Sequence, residues 1–318
     1  MAQRCTSENE YSGILHALHE IGKGEAMNLK DKVVVVTGST RGFGHAVARA
    51  LLARGSRVVI SGRRQADVDR VTAALGERAA GLACDVSVAE QVYALARFAV
   101  AEFGGIDVWI NNAGISPPPG AVLDFPPEQA ERVFRVNCLG TLHGTQAAVW
   151  TMTRQGGGTI VNLYGRGSDL RPAPLSGLYG ASKAWVTSFT RTAAAEYKDL
   201  PLRIIGFQPG MMTTDMVAVR QVVGTRSIAS MRYYPMILQA LANPPEVPAA
   251  ALVRLLERVN KPFTEYRLLR SWRLLPMLAR LAWLGINRRA RPPEADYEIL
   301  PPFEPPVARE PGSDLPPQ

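Results

Sequence analysis

The sequence predicts an α/β protein built on a doubly wound parallel sheet of about seven strands, and two observations support this fold class. Short apolar runs rich in valine and isoleucine alternate with amphipathic stretches over residues 31–207, which is typical of strands covered by helices on both faces. A glycine-rich turn, TGSTRGFG at 37–44, directly follows the first apolar run. In sheets of this class, ligands bind at the carboxyl ends of the strands.

The predicted strands and helices alternate along the chain, and right-handed crossovers would place the helices on both faces of the sheet. Strands are predicted at 32–38, 57–61, 81–86, 106–114, 159–164 and 203–210, with TEYRLL at 264–269 as a candidate seventh strand. Helices are predicted near 43–54, 67–75, 88–103, 127–154, 178–198 and 246–259.

The 318 residues are enough for one large domain with added segments at both ends. We predict an N-terminal extension at 1–29, a sheet domain at 30–270 and a Pro-rich tail at 292–318 that stays extended or disordered. Within the domain, the stretch 211–245 shows no clear strand and contains many methionines and aromatic residues, which suits a lobe that covers a substrate. Ordinary core packing is the alternative for those side chains.

The net charge of +8 is concentrated near the C-terminus, because residues 261–291 carry an excess of seven basic side chains. This local basicity argues against a general nucleic-acid-binding surface. Within 266–291 an apolar face at helical spacing is flanked by arginines, so a basic amphipathic segment at 271–291 is predicted to contact a membrane peripherally. Packing of this segment on the domain or on another subunit is the alternative.

The cysteines, the histidines and the N-terminal residues argue against several other classes of protein. Three scattered cysteines favour a reducing compartment, and four histidines without metal-ligand spacing predict no metal site. No apolar run is long enough for a transmembrane helix, and the acidic residues of the first segment argue against a transit peptide. We therefore expect a cytoplasmic protein.

The glycine-rich turn predicts a dinucleotide site. Gly38, Gly42 and Gly44 let the backbone approach a pyrophosphate, whose charge would meet the N-terminus of the following helix. At the end of the second strand, Gly62 stands where an acid usually binds a free ribose 2′-hydroxyl. Because two arginines follow it and Arg41 lies in the turn, the pattern favours the 2′-phosphate of NADP(H); solvated surface arginines are the alternative.

A tyrosine and a lysine predict the chemistry. Tyr179 and Lys183 are four residues apart and share one face of a predicted helix. An ammonium beside a phenol favours the phenolate and lowers the pKa of the tyrosine towards neutrality. Such a tyrosine can donate a proton to a carbonyl oxygen while a hydride reaches the carbon. An exposed helical pair would be the better interpretation if the motif stood alone, without the nucleotide turn before it.

Four motifs in register resemble the short-chain dehydrogenases/reductases over about residues 30–216: TGSTRGFG, NNAG, YGASK and PGMMTTDM. The resemblance implies a Rossmann fold, a nicotinamide cofactor and a homo-oligomer. It also implies that Asn137 holds a water for a proton relay through the lysine; a buried amide that kinks a helix is the alternative.

The candidate catalytic residues are therefore Tyr179, Lys183, Asn137 and Ser168. Ser168 is the candidate for the role of a serine that most of the family carries at the end of the fifth strand. Asp85 is placed either to bond the adenine amino group or to cap a helix. The resemblance further implies that Pro209, Gly210 and Thr214 contact the nicotinamide carboxamide, with Thr213 as a second candidate. The candidate cofactor-binding residues are Gly38, Ser39, Arg41, Gly42, Phe43, Gly44, Arg63, Arg64, Asp85, Val86, Asn111, Ala113, Gly114, Tyr179, Lys183, Pro209, Gly210 and Thr214.

The sequence departs from the family at the end of the fifth strand. Most members carry a serine pair there, whose second serine bonds the substrate carbonyl, whereas this chain has Tyr164 and Gly165. Ser168 follows three residues later and would reach the site if the loop at 165–167 folds inward. A surface turn is the alternative position for Ser168.

The stretch GRGSDLRPAPLSGLYGASK resembles one branch of the family, the chlorophyll(ide) b reductases of plants and their bacterial relatives. That branch implies NADPH-dependent reduction of a formyl group on a tetrapyrrole to a hydroxymethyl group, in a wide cleft. Another large apolar ketone, aldehyde or alcohol, lipid- or steroid-like, is the alternative substrate. A non-catalytic NADPH-binding scaffold or sensor is the alternative function.

Overall fold

The computed structural model describes residues 27–214, 216, 221–231, 234–268 and 297–305. The predicted basic amphipathic segment at 271–291 lies outside the described residues, as do residues 1–26 of the predicted N-terminal extension and most of the predicted Pro-rich tail. Among the helices of the described part, none is both long and apolar enough to cross a bilayer.

A seven-stranded parallel sheet forms the centre of the fold, and it confirms the predicted fold class. The strand order is β3-β2-β1-β4-β5-β6-β8, so the chain winds outward from β1 in one direction and then, from β4 on, in the other. This reversal creates a crevice at the carboxyl ends of β1 and β4, where such sheets bind ligands. The strands are β1 (Val33–Val36), β2 (Arg57–Gly62), β3 (Ala79–Ala83), β4 (Val108–Asn111), β5 (Gly158–Leu163), β6 (Leu202–Gln208) and β8 (Phe263–Arg267).

Helices cover both faces of this sheet. They are α1 (Gly42–Leu52), α2 (Gln65–Leu75), α3 (Ala89–Phe103), α4 (Pro127–Phe134), α5 (Gly140–Arg154), α6 (Gly177–Glu196), α7 (Arg226–Met231), α8 (Tyr234–Leu241) and α9 (Glu246–Arg258). A π-helical turn, Arg135–Leu139, joins α4 to α5, and a short 3₁₀ turn spans Val122–Asp124. The single helix predicted at 127–154 is thus continuous but widened in the middle.

The alternating valines of β1 divide the core into two layers. Val34 and Val36 pack with α1 and α9 on one face, whereas Val35 packs with α3 and α5 on the other. This is the pattern expected for a strand that is buried on both faces. Trp109 and Phe207 are the largest fully buried side chains, one in each layer, so both layers are closely filled.

A second, small sheet lies beside the lobe that follows β6. Strand β7 (Gln221–Val223) pairs in parallel with β9 (Glu298–Leu300), which belongs to the predicted Pro-rich tail. Beyond β9, the Phe303 N–H donates to the carbonyl oxygen of Asp124 at 2.9 Å. The sequence pattern did not indicate either strand. The described part of the tail is therefore a strap over the lobe.

Candidate active site

The glycine turn lies tightly against the end of β4. Gly38 has a φ of 62°, and a Cβ at this position would lie 2.9 Å from Ala113 Cα. Gly42 has a φ of 58°, and a Cβ at Gly44 would lie 2.7 Å from the Gly38 oxygen. These positions require glycine, and they bring the backbone of the turn next to the segment that follows β4.

Helix α1 begins in this turn and directs its N-terminus towards the crevice. Its N-cap residue, Arg41, is extended, and the first turn of the helix contains no acidic residue. The backbone N–H groups and the dipole of such a helix end attract an anion. Thr214 lies over the same turn, because its Cγ2 is 3.7 Å from a Cβ built on Gly42.

Two of the predicted cofactor residues use their side chains inside the fold. The Ser39 hydroxyl donates to the Val36 oxygen at 2.7 Å and accepts from the Ser61 N–H at 3.0 Å. The Phe43 ring is buried and stacks on Phe207 at a centroid distance of 6.3 Å. Only the backbone of Ser39 and Phe43 can therefore face a cofactor.

Two residues that support the turn were not singled out from the sequence. Asn112 donates through Nδ2 to the carbonyl oxygens of Thr37 and Gly38, at 2.7 and 3.0 Å. The Thr37 hydroxyl accepts the N–H groups of Asn112 and Ala113, each at 3.0 Å. The detectable signal was the polar Thr37 just before the first glycine and the doubled asparagine after β4.

The end of β2 leaves no space for an acid. A Cβ at Gly62 would already lie 2.7 Å from Thr40 Cγ2, so the glycine turn packs directly against this position. Arg63 follows and lines a cavity of about 270 Å³, while Arg64 is exposed and lies 3.5 Å from a carboxylate oxygen of Asp67. No acidic side chain therefore stands at position 62 itself, and two arginines follow it.

Asp85 and Val86 follow the end of β3. Asp85 Oδ1 accepts from the N–H and the hydroxyl of Ser87, at 2.9 and 2.7 Å, so part of its carboxylate caps the following turn. Asp85 also lines the cavity together with Arg63. Val86 is buried, and its carbonyl oxygen lies 2.9 Å from His143 Nδ1.

A chain of buried amides joins the middle of the sheet to α6. Asn111 Nδ2 donates to Asn162 Oδ1 at 2.8 Å, and Asn162 Nδ2 donates to Thr190 Oγ1 at 3.0 Å. Trp109 Nε1 donates to Asn111 Oδ1 at 2.8 Å. Asn111 thus acts on the site by fixing the ends of β4 and β5 relative to α6.

Asn137 lies fully buried in the π-helical turn and links two parts of the site. Its Oδ1 accepts the Ile115 N–H at 2.8 Å, and its Nδ2 donates to the Ile115 oxygen and to Ser182 Oγ, each at 2.9 Å. Gly114 packs beside it, since a Cβ there would lie 3.3 Å from Asn137 Oδ1. The wide turn is what lets one amide reach both the segment after β4 and α6.

The phenol of Tyr179 occupies space that a side chain at position 165 would need. A Cβ at Gly165 would lie 3.0 Å from Tyr179 Cζ, and closer still to Tyr179 Oη. The same Cβ would lie 3.1 Å from Lys183 Cγ. The phenol, the lysine stem and the end of β5 therefore meet at one point.

Burial decides the protonation of this pair. It raises the pKa of Tyr179 to about 12 and lowers the pKa of Lys183 to about 8. Lys183 Nζ donates to the Leu163 oxygen at 2.8 Å and lies 5.8 Å from the centre of the Tyr179 ring. The pKa shift of Tyr179 is thus opposite to the one expected from the sequence, because desolvation of the phenol outweighs the effect of the lysine.

The loop after β5 folds inward onto α6. Gly167 has a φ of 92°, and a Cβ there would lie 2.6 Å from Gly180 Cα. Ser168 is buried, and its hydroxyl accepts the Gly165 N–H at 3.1 Å and donates to the Lys183 oxygen at 3.2 Å. The serine is therefore inside the site region rather than in a surface turn, and its hydroxyl holds the backbone of the loop.

The sequence comparisons agree with this geometry. The family model described as short chain dehydrogenase matches residues 32–222 of the chain. The chain belongs to the short chain dehydrogenase family. It is thus an oxidoreductase that transfers a hydride between a nicotinamide dinucleotide and a hydroxyl or carbonyl group.

Several short chain dehydrogenases are similar to it. A probable chlorophyll(ide) b reductase of Arabidopsis thaliana is 33% identical over 58% of this chain and 41% of its own length. A 3beta-hydroxysteroid dehydrogenase of Eggerthella lenta is 38% identical over 70% of this chain and 86% of its own length. Among solved structures, the fold is similar to that of a 3-ketoacyl-(acyl-carrier-protein) reductase from Brucella melitensis, crystallised in complex with NADH, with a TM-score of 0.66. The two sequences are 26% identical, and the match covers 76% of this chain and 97% of the reductase chain.

The side chain of Tyr164 lies outside the site. Its ring covers Gly206, where a Cβ would lie 2.6 Å from Tyr164 Cε2, and its hydroxyl donates to Glu265 at 3.0 Å. Burial raises the pKa of Tyr164 well above its ordinary value. Arg191 binds both oxygens of Glu265 at 2.9 Å. This network joins β5, α6 and β8 and takes no part in the crevice.

The segment after β6 runs from the loop after β5 to the glycine turn. Gly210 has a φ of 82°, and Pro209 before it is buried. The Gln208 side chain donates to the Gly165 oxygen at 3.3 Å, so the segment is attached to the loop after β5. Thr213 is exposed and binds the Asn243 oxygen, whereas Thr214 faces the glycine turn.

Proposed function

We propose that the chain is an NADPH-dependent reductase of an aldehyde or ketone with Tyr179 as the proton donor. One observation carries this proposal. The phenol of Tyr179 and the stem of Lys183 meet Gly165 at the carboxyl end of β5, while Thr214, in the segment after β6, reaches the glycine turn. Both groups border the crevice in which a dinucleotide would bind.

The residues present fit such a dinucleotide. The glycine turn and the N-terminus of α1 form a cradle for a pyrophosphate, because side chains are excluded at Gly38 and Gly44. At the end of β2, Gly62 is too close to Thr40 to be replaced by an acid, and Arg63 faces the cavity beside it. This arrangement supports NADPH over NADH, since guanidinium groups bind a 2′-phosphate. Arg41 and Arg64 are the further candidates.

The bound NADPH would supply the hydride that reaches the carbonyl carbon. Tyr179, neutral at physiological pH because its pKa is raised to about 12, donates its proton to the carbonyl oxygen as the hydride arrives. The Lys183 ammonium stabilises the phenolate that remains. Asn137 holds the segment after β4 against α6, beside the path by which the phenol regains a proton.

Ser168 acts in this proposal as a positioning residue. Its hydroxyl joins the N–H of Gly165 to the carbonyl oxygen of Lys183. It thereby fixes the loop on which the missing serine would have stood. The space left at Gly165 is filled by the phenol itself, which can approach the substrate oxygen without a second hydroxyl beside it.

The formyl group of chlorophyll(ide) b is the substrate that we propose, with reduction to the hydroxymethyl group. Support comes from the rebuilt loop at 165–168, which resembles that branch, and from the 33% identity to the probable chlorophyll(ide) b reductase. The chain spans less than half the length of that relative. A flat, apolar tetrapyrrole requires a wide cleft, which the lobe and its strap would border.

Steady-state NADPH consumption with chlorophyllide b and a panel of other carbonyls tests the substrate. We expect turnover of chlorophyllide b and release of the hydroxymethyl product, identified by mass spectrometry. Turnover of other carbonyls without chlorophyllide b would refute the tetrapyrrole. The absence of turnover with every carbonyl, together with tight NADPH binding, would instead indicate a scaffold or sensor.

A steroid or another large apolar ketone is a second candidate. The 3beta-hydroxysteroid dehydrogenase of Eggerthella lenta is 38% identical over 86% of its own length, a more complete match than that of the chlorophyll(ide) b reductase. A 3-ketosteroid and its alcohol therefore belong in the panel.

We further propose a cytoplasmic homo-oligomer, with peripheral membrane contact through residues 266–291.

A further inference from the structure

Arg166 lies at the rim of the proposed reaction site. It directly follows Gly165, whose missing side chain is filled by the Tyr179 phenol. Its own side chain is exposed, and Nη2 donates to the Pro174 oxygen at 3.3 Å, across the loop that leads to α6. The guanidinium is therefore tethered above the loop, one residue away from the point where the substrate carbonyl would bind.

The charge of Arg166 is not neutralised by a carboxylate within the part of the chain that the structure describes. The nearest acid along the loop, Asp169, is instead within 3.8 Å of Arg171. Within the described residues, the Arg166 guanidinium donates a hydrogen bond to a neutral backbone oxygen and forms no ion pair. An exposed guanidinium with most of its donors open is suited to a planar anion, which it can bind through two parallel hydrogen bonds.

Tyr234 of the lobe lies near this arginine, and Tyr297 of the strap lies near Tyr234. Tyr234 lies close enough to Arg166 and to Tyr297 for both to act on its phenol; its pKa is raised, first by burial and then by Tyr297, while Arg166 opposes the shift. The Tyr297 hydroxyl donates to the Met231 oxygen at 3.2 Å, which attaches the strap to α7. Arg166, Tyr234 and Tyr297 thus belong to three segments that meet at the rim.

We propose that Arg166 binds a carboxylate on the carbonyl substrate, and that this rim selects acidic substrates over their neutral esters. The inference rests on the proposed reductase function, and it defines the substrate class more narrowly. For a tetrapyrrole, it favours the free acid, chlorophyllide, over the esterified chlorophyll. Tyr234 borders the same rim from the lobe.

The test compares the full chain with Arg166→Ala, Arg166→Lys and a matched control, Arg171→Ala, on the same loop. Each variant is assayed with a carbonyl acid and its methyl ester, chlorophyllide b and methyl chlorophyllide b being the pair of choice. We expect Arg166→Ala to raise KM for the acid by about tenfold or more, with kcat and the KM for the ester unchanged. Arg166→Lys should retain part of the preference, and Arg171→Ala should change neither KM.

Equilibrium binding of the acid and of its ester, measured by calorimetry in the presence of oxidised NADP, separates this inference from the proposed reaction. Loss of acid binding in Arg166→Ala would support the rim site even if no carbonyl is turned over. An equal loss of acid and ester binding, or a wild-type protein that does not distinguish the two, would overturn it. Turnover of both compounds with equal KM in all variants would overturn it while leaving the reductase function intact.

Discussion

The absence of a side chain at position 165 determines where the reacting phenol can lie. In the short chain dehydrogenases that carry a serine pair, this position has a hydroxyl, whereas here Gly165 is in contact with Tyr179 and the stem of Lys183. The presence of glycine instead of serine therefore affects the position of the phenol, in addition to removing one hydrogen bond. Ser168, three residues further along the loop, accepts a hydrogen bond from the Gly165 N–H and so holds the backbone there.

Restoring a serine at this position should impair the enzyme. In Gly165→Ser the new Cβ would lie 3.0 Å from Tyr179 Cζ, so the phenol must move. A displacement of about 1 Å in a reacting group lowers activity by about 10²-fold, and we expect a loss of that order in kcat. Gly105→Ala, at the opposite end of the sheet and beside the side chain of Gln155, is the control with near-normal activity. A Gly165→Ser enzyme as active as the parent would contradict this geometry.

The pH dependence of reduction should follow Lys183. Its pKa, lowered by burial to about 8 from 10.5, means that the ammonium is present below pH 8 and lost as the pH rises through 8. Tyr179, with a pKa of about 12, remains a proton donor over this range. We therefore expect kcat/KM for reduction to be level below pH 8 and to decline above it. The neighbouring Cys138 thiol, with a pKa raised by burial to about 11, stays neutral across the decline.

Lys183→Arg provides the matched comparison for this pH profile. Its guanidinium stays charged at alkaline pH, so the decline above pH 8 should disappear even if the absolute rate is lower. A decline that persists unchanged in Lys183→Arg, or a rate that rises through pH 8 in the parent enzyme, would contradict the assignment.

The residues proposed for the chemistry come from the sequence, whereas their protonation depends on the fold. Tyr179 and Lys183 were singled out from their spacing together with the nucleotide turn that precedes them. The direction of the pKa shift of Tyr179 depends on burial, which arises from helices and loops distant in sequence. Ser39 and Phe43 were predicted to bind the cofactor because they lie in the glycine turn. Their side chains instead make contacts inside the fold, and those contacts depend on tertiary packing.

We propose that the end of β2 determines whether NADPH or NADH is preferred. Because Gly62 is packed against Thr40 and followed by arginines, this strand end lacks the acid that binds a free 2′-hydroxyl. In the double variant Arg63→Ala/Arg64→Ala we expect the Kd for NADPH to rise by about ten- to a hundredfold, with the Kd for NADH little changed. Fluorescence titration of both cofactors measures this.

Gly62→Asp makes the complementary point. It should fail to create tight NADH binding, because its Cβ would lie 2.7 Å from Thr40 Cγ2 and the turn would be displaced. Equal loss of NADPH and NADH affinity in the arginine variant would contradict recognition of a 2′-phosphate at this strand end.

The pairing of β7 with β9 should matter for substrate binding more than for stability. Strand β9 pairs only with β7 and is largely exposed, while the seven-stranded sheet is complete without it. A chain ending at residue 296 should therefore unfold near the parental temperature. Its KM for a large substrate should rise severalfold, with unchanged turnover of a small aldehyde. A large loss of thermal stability would contradict this division of roles.

The elements of the sheet were predictable because each buried strand carries its own apolar run. All seven strands of the central sheet were predicted, within a few residues. The π-helical turn at Asn137 and the β7–β9 pair were not. The π-helical turn depends on the Asn137 amide, which bonds residues of two other segments. The β7–β9 pair depends on two three-residue strands that are separated by more than seventy positions.

At the scale of the whole molecule, one edge of the sheet gathers every group that the proposed reaction needs. The glycine turn follows β1, the arginines follow β2, the amides lie on β4 and β5, and the rebuilt loop follows β5. The lobe and its strap lie over the same edge, since the strap bonds Asp124 and Met231. The family was therefore predictable from the sequence, whereas the rim that we propose to select the substrate is built by segments that are distant in the sequence.

The most direct test of the central claim is a single-turnover measurement of NADPH oxidation by excess enzyme, comparing the parent with Tyr179→Phe at saturating chlorophyllide b. The account predicts that the variant binds NADPH normally and that hydride transfer slows by about 10³-fold, because the proton donor is gone. Hydride transfer by Tyr179→Phe at the parental rate would contradict the assignment of Tyr179 as the proton donor.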